Sequence, residues 1–274
     1  MRGLALFLAP RYRDDGSLNY FVRRLKDKIG TRSVPTGEVE LRESQAYLLG
    51  QPDLGVYLIL ESLNLSRVGN SIGSVALAQR ALAEAWQFAQ GRIAFGKPIS
   101  EHPLLRRQFH ERSRTLHQAF ALAWEAVLLL NEAWREAPRY SERYHLMRLV
   151  THLAKYWTAE VAVQTAKWAM EVHGGVGVLA EYPVERLLRE AMILPIWEGT
   201  PHRQILDGME VMERKQAHRL LFDYLVERGA DLSGLTDLQA EVERWLARPA
   251  EVREAESEGV FRHLAEHTAR ALTR

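Results

Sequence analysis

The alternation of apolar and polar positions changes character near residue 50. Before that point, short apolar runs at Leu4 to Ala9, Leu18 to Leu25 and Gly37 to Leu41 are separated by Pro, Gly, Ser and Thr. That punctuation predicts a small region of strands and turns. Arg11 to Arg13, leading into Asp14-Asp15-Gly16, reads as a strand running into a polar turn. Beyond it, Gly55 to Gln90 contains no proline and sets Val56, Ile59, Leu63, Val68, Ile72, Val75, Leu82 and Trp86 at helical spacing. Gly69, Gly73, Ser74, Ala76 and Ala78 lie in the same stretch. Small residues there include weak helix formers, so they predict close approach of a neighbouring helix or a ligand.

Gly91 to Pro103 is a break, after which Leu104 to Trp134 regains helical spacing and ends near Pro138. Ser141 is a predicted N-cap for a helix reaching Val172, and Gly174-Gly175 is its stop signal. A further helix is expected beyond Pro201. Long helices joined by short breaks predict an antiparallel four-helix bundle, with Trp86, Trp124, Trp134, Trp157 and Trp168 read as its core. From Lys215 the pattern stays helical but is more charged. Breaks at Asp231 to Gly234 and at Arg248-Pro249 predict a tail of two or three amphipathic helices. The expected protein is mainly α: residues 1–50 a short β-region, 51–213 the bundle, and 214–274 a helical extension.

Composition narrows the chemistry. The 274 residues are 47% hydrophobic and 26% charged, enough to build a sizeable core. The chain has no cysteine, which excludes disulfides, thiolate metal sites and cysteine nucleophiles together and fits a cytoplasmic setting. Met1 to Pro10 opens on an arginine and an apolar run, but the run is too short for a signal peptide, and no stretch is long enough to span a membrane. His102, His110, His117, His145, His152 and His218 show no metal-ligand spacing. A net charge of +1 argues against a dominant polyelectrolyte partner.

The sharpest local signals are His173-Gly174-Gly175-Val176-Gly177, Tyr182-Pro183-Val184-Glu185-Arg186-Leu187-Leu188-Arg189-Glu190 and Ile196-Trp197-Glu198-Gly199-Thr200. Upstream stand Gly30-Thr31-Arg32-Ser33 with Thr36, Leu65-Ser66-Arg67 and Arg92-Ile93-Ala94-Phe95-Gly96-Lys97. In order and spacing the set resembles the acyl-CoA dehydrogenase family over residues 1 to 213, although each motif alone would be weak. The resemblance implies the C-terminal helical domain of that family preceded by the end of its β-domain.

Carried onto this sequence, the family's base is Glu198, which would take the α-proton of an acyl-CoA thioester while the β-hydrogen leaves as hydride to FAD. A carboxylate is a weak base in water, so the chemistry needs partial desolvation and a substrate acidified by carbonyl polarisation. Without the motif, Glu198 would read as a surface or helix-start carboxylate. Some family members place the base at the position of Ser66, which as serine cannot act so. The resemblance implies cofactor contacts at Arg92 and Phe95, on the FAD of a neighbouring subunit, and at Glu171, His173, Gly174, Gly175, Thr200 and His202. It implies acyl-CoA contacts at Ser66, Arg67 and Gly199, the glycine letting the backbone pass close to the flavin. The residues alone leave alternatives: Arg92 as a helix C-terminal cation, Gly174-Gly175 as an ordinary helix stop, Arg67 in an ion pair inside the bundle. His202 stands where the family usually has an amide, Pro103 where a polar contact is frequent, and Ala94 where a hydroxyl is frequent.

By this resemblance the chain begins inside the family's β-domain, so a separately encoded N-terminal half is one expectation and a noncatalytic oligomerisation remnant another. A homo-oligomer built through the helices is expected in each case. Some relatives in the alkylation-stress response bind DNA through this region, but acids and bases balance after Lys215, which argues against a nucleic-acid partner.

Overall fold

The computed structural model describes residues 3–273, and for Leu232 and Ser233 the backbone alone. Met1 and Arg2 of the apolar opening lie outside the described residues. The chain divides into two compact units, one up to Leu65 and one from Ser66, the division falling within helix α1 (Gly55–Gly91).

In the smaller unit, β1 (Leu6–Leu8) pairs antiparallel with β4 (Tyr47–Leu49), and β2 (Phe21–Leu25) pairs antiparallel with β3 (Gly37–Glu40). Three of these strands fall within the predicted apolar runs, whereas β4 carries no sequence signal of its own. The unit is tied by Asn19, whose amide donates to the Pro10 and Gln45 carbonyls at 2.9 and 2.8 Å and accepts from the Gln45 N–H at 2.8 Å. Burying an amide is tolerable only when its polar atoms are satisfied in this way. At Gly55 a Cβ would lie 2.4 Å from the Leu4 carbonyl oxygen, so strand backbone crosses the start of α1 where a side chain cannot fit.

The larger unit contains the bundle of α1, α2 (Pro103–Ala133), α3 (Glu142–His173) and α5 (Pro201–Lys215), with the short α4 (Pro183–Ala191) before α5. Ser141 caps α3, its hydroxyl accepting from the Tyr144 N–H at 3.1 Å. Between α1 and α2 the chain makes a two-residue hairpin, β5 (Ile93–Ala94) with β6 (Lys97–Pro98), and a 3-10 turn. One core cluster joins Val68 and Val75 of α1 to Leu122 and Leu129 of α2 and to Leu149 and Leu153 of α3. A second gathers Ala81, Ala85 and Ala89 with Phe109 and Trp168. Each large aliphatic side chain so buried stabilises the fold by about 1.5–3 kcal/mol.

Three expectations change. The close approach to α1 occurs at Ser74, Ala78, Ala81 and Ala85, all buried, while Gly69 and Gly73 are exposed with open space where a Cβ would sit. Of the tryptophans read as core, Trp157 and Trp168 are buried, but Trp86, Trp124 and Trp134 are exposed. Trp124 lies on the outer side of α2 stacked with Phe120, and Trp134 caps the helix end. The tail forms α6 (Ala217–Glu227), α7 (Leu232–Leu246) and α8 (Ala250–Leu272), with the first break at Arg228 to Asp231 and Gly234 inside α7. Helix α8 docks on α2, α3 and α5. Phe261 fills the space over Gly208, where a Cβ would stand 2.4 Å from its ring. Among the described residues no helix is long and apolar enough to cross a membrane.

Candidate active site

Glu198 sits in the irregular connection from α4 to α5 with φ +58°, followed by Gly199 at φ +98°. Left-handed backbone is unfavourable for a residue with a Cβ, so its neighbours must hold it there. They do so through the carbonyls. Arg67 Nε donates to the Glu198 carbonyl at 3.2 Å, and Asn70 Nδ2 donates to that of Leu194 at 3.3 Å. Lys155 Nζ donates to the Pro195 carbonyl at 2.9 Å and also to the Gly199 carbonyl. Gln204 Nε2 donates to the carbonyls of both Glu198 and Gly199 at 3.0 Å.

Each donor is held in turn. Arg67 pairs with Asp207 at 3.0 Å, both buried, and Arg203 reaches the other oxygen of Asp207. Because Gln204 uses its amino group on the two carbonyls, its Oε1 is the acceptor facing His152 Nδ1 at 3.0 Å, which fixes the Nδ1–H tautomer. His152 has no exposed surface. Burial, with Arg67 adding to it, holds the ring well below its ordinary pKa and therefore neutral. Lys155 is pushed down to about 8, chiefly by burial, with the charge of Arg67 adding and that of Glu198 opposing. The Glu198 side chain is half-buried, and no hydrogen bond or ion pair holds its carboxylate among the described residues. The connection thus combines a backbone held from three helices with a carboxylate that has no hydrogen-bond or ion-pair partner among the described residues.

Of the remaining sequence candidates, Ser66 is exposed on α1 beside the buried Arg67, whose ion pair is the structural role anticipated for it. Gly199 has a reason within the chain: a Cβ there would lie 2.7 Å from Gln204 Nε2. Thr200 is the exposed N-cap residue of α5 and makes no side-chain cap bond. His202 is exposed and lines a cleft of about 710 Å³ with Ile205 and Leu206 of α5 and Glu251, Glu254 and Glu258 of α8.

A second group gathers where α1 and α3 end. Arg92, His173, Gly174 and Gly175 line a cleft of about 440 Å³ with Phe88 and Tyr182. His173 is buried, its Nδ1 at 2.8 Å from the Ala169 carbonyl and its ring stacked on Phe88 at 4.2 Å. Gly174 has φ +62°, and a Cβ at either Gly174 or Gly175 would meet nothing within 4 Å, so this backbone is bare. The glycine demanded by packing is Gly177, where a Cβ would stand 2.4 Å from the Met170 carbonyl oxygen. Arg92 is exposed and has no ion-pair partner among the described residues. A free guanidinium beside uncovered backbone suits an anion. Glu171 is exposed and paired with Lys167. Phe95, at the tip of the β5–β6 hairpin, is 97% exposed with φ +51°.

Asn70, His152, Lys155, Gln204 and Asp207 escaped the sequence reading as site residues. Their signal was polarity on otherwise apolar helix faces: Arg67, Asn70, Ser71 and Ser74 on α1, and Thr151, His152, Lys155 and Thr158 on α3, all buried. The α1 set falls at i, i+3, i+4 and i+7 and the α3 set includes Thr151, Lys155 and Thr158 at i, i+4 and i+7, spacings that share a face, and buried groups need partners.

Known proteins resemble this chain in sequence and fold. AidB of Escherichia coli (strain K12) is 34% identical over 235 residues, covering 85% of this chain and 42% of that protein. The structure of Caenorhabditis elegans ACDH-11, solved in complex with C11-CoA, matches with a TM-score of 0.84 at 26% identity, covering 99% of this chain and 48% of that one. The apo form of Bd2924 matches with a TM-score of 0.91 at 31% identity, covering 99% and 53%. The chain therefore spans about half the length of the relatives it matches. Residues 53–213 match the family model described as acyl-CoA dehydrogenase, C-terminal domain, and with the bundle and the Glu198 connection in place, this chain belongs to the acyl-CoA dehydrogenase family.

Proposed function

We propose that this chain supplies the base-bearing, helical part of an acyl-CoA dehydrogenase that removes hydrogen across the α,β bond of an acyl-CoA thioester, with Glu198 as the base and FAD as cofactor. The observation that carries the reading is the Glu198 connection: a half-buried carboxylate without a hydrogen-bond partner, on backbone held by Arg67, Lys155 and Gln204. Such an arrangement orients a proton acceptor without consuming its lone pairs. The C11-CoA bound to C. elegans ACDH-11 supports an acyl-CoA as the substrate class.

The residues fit the cofactor the family implies. Arg92 and the bare backbone of Gly174 and Gly175 are donors suited to a diphosphate, and Phe95 is an aromatic ring 97% exposed, with the edge contact to His102 at 6.1 Å leaving most of it uncovered. When bound, the flavin supplies the hydride acceptor that this cysteine-free chain lacks. The chain's own task is proton abstraction by a Glu198 carboxylate oxygen. Proton abstraction at that oxygen is favoured where water is excluded from it, and a second copy in a homo-oligomer or a separately encoded N-terminal half is the partner proposed to cover it. Exposed Trp124, stacked with exposed Phe120, and Trp134 favour burial against another chain and keep a noncatalytic assembly role as the second reading.

The test is visible absorbance of the purified chain after incubation with FAD and gel filtration, alone and with any separately encoded N-terminal half. A retained flavin spectrum bleached by acyl-CoA, and not bleached in Glu198→Gln, supports the dehydrogenase. A colourless protein under both conditions leaves the assembly role.

A further inference from the structure

We propose that Lys155 is a positioning residue for Glu198: by donating to the carbonyls of Pro195 and Gly199, on either side of it, the ammonium pins the connection so that Glu198 keeps its left-handed backbone and its carboxylate stays on target. This deepens the dehydrogenase reading and rests on it for its catalytic part. The geometric part stands by itself.

Lys155 is 1% exposed, so its charge has no water and its satisfaction comes from these carbonyls. A lysine in an apolar bundle is expensive unless hydrogen-bonded, and here its charge lies beside a connection built of turns between α4 and α5. Gln204 doubles the contact at Gly199, but the Pro195 carbonyl is met by Lys155 alone among the bonds described. Gln204 is in turn oriented by His152, one turn before Lys155 on α3, so a single helix fixes both donors. Three observations therefore converge on one stretch of backbone: an unusual φ at Glu198, a buried cation spanning its flanks, and an amide turned to help it.

The charges acting on Lys155 are Arg67 on α1 and Glu198 in the connection, with His152 one turn before it on its own helix and Asp207 of α5 paired to Arg67. Arg67 and Asp207 compensate each other, which leaves Glu198 as the acid opposed to the Lys155 charge. Burial lowers the ammonium's pKa to about 8, so its charge is lost more readily in alkaline solution than that of an exposed lysine.

The experiment uses the absence of cysteine. Lys155→Cys provides the chain's single thiol, and treatment with bromoethylamine in the unfolded state followed by refolding restores a lysine-like amine at that place. The readout is site-resolved amide exchange at Ile196 and Trp197, which bond to the Ile193 carbonyl inside the connection, compared with amides in the middle of α2. Exchange at Ile196 and Trp197 is expected to rise at least about tenfold in Lys155→Cys, the order set by losing a charge-assisted bond, with α2 unchanged. Aminoethylation is expected to restore it. Unchanged exchange at Ile196 and Trp197, or an equal rise in α2, overturns the proposal. If the variant does not refold, the unaltered chain is followed from about pH 7 to about pH 9.5 after correction for intrinsic exchange. Loosening at Ile196 and Trp197 relative to α2 supports the proposal, and a flat profile overturns it. With flavin bound, Lys155→Cys should lower kcat with KM within about twofold, as a displaced base would. Equal kcat overturns the catalytic part. Wild-type chain that loads flavin but never bleaches with acyl-CoA sinks the dehydrogenase reading and leaves the exchange result intact.

Discussion

Arg67 and Asp207 meet at 3.0 Å with their side chains only 5% and 6% exposed, joining two helices whose residues are 140 positions apart in sequence. Removing Asp207 leaves Arg67 as an uncompensated buried charge, whereas removing Arg67 leaves Asp207 still paired with Arg203 and removing both leaves neither buried charge of the pair. Asp207→Leu should therefore destabilise the chain by about 3–5 kcal/mol, and Arg67→Met with Asp207→Leu should recover most of that loss. Urea midpoints of the two single variants and the double variant measure it. Additive losses would show that the pair is not coupled.

The same region makes stability sensitive to acid. His152 is held neutral mainly by burial, and burial also lowers His145 and His218. A group whose folded pKa is depressed contributes stability above its unfolded pKa and loses it as pH falls toward the folded value, because only the unfolded chain takes up the proton there. Stability should thus decline below about pH 6.5, by about 1.4 kcal/mol per pH unit for His152, with His145 and His218 acting in the same direction. His152→Asn should lower that slope by one proton, as seen in urea midpoints between about pH 6.5 and pH 5.

Gly199 carries both a positive φ and a close neighbour, with 2.7 Å left between a Cβ and Gln204 Nε2. Gly199→Ala should cost about 1–3 kcal/mol through backbone strain and displace the amide that orients the Glu198 carbonyl. The expected signature is a larger fall in kcat than in thermal midpoint, since the amide serves the connection more than the core. Wild-type turnover in this variant would show that the left-handed turn tolerates a methyl group.

Phe261 against Gly208 couples the tail to the bundle. Gly208→Ala should be destabilising by about 1–3 kcal/mol despite the better helix propensity of alanine, because the ring has no room to move aside. Phe261→Ala should cost about 3–5 kcal/mol by leaving a cavity among α3, α5 and α8. Calorimetry of both variants checks this, and a tail that unfolds in a separate transition would contradict the shared core.

Long periodic segments were legible because helices declare themselves twice, in spacing and in punctuation: α1, α2 and α3 lie within a residue or two of the expected bounds, and Ser141 caps as read. Burial was less legible. Trp86, Trp124 and Trp134 have core-like chemistry, but whether a helix face is covered depends on which neighbour arrives, and that is a tertiary fact. Strand β4 is three residues long and gains its register only by pairing with β1. Glu198 was recognisable from its motif, yet the residues that hold it come from three helices far apart in sequence, and Lys155 read alone is one more lysine in an amphipathic pattern.

The β5–β6 hairpin has an implication for how this chain was shaped. Phe95 is held left-handed and almost wholly in water, with an edge contact to the His102 ring at 6.1 Å, so it adds strain and gives back little packing within its unit. Selection for folding alone would have placed asparagine or glycine there, both at ease in that conformation. The hairpin is locally frustrated, and such frustration persists where a residue answers to something outside the fold. Phe95→Gly should accordingly raise the thermal midpoint of the isolated chain while weakening flavin retention in the assembled one, separating the demands of folding from those of function.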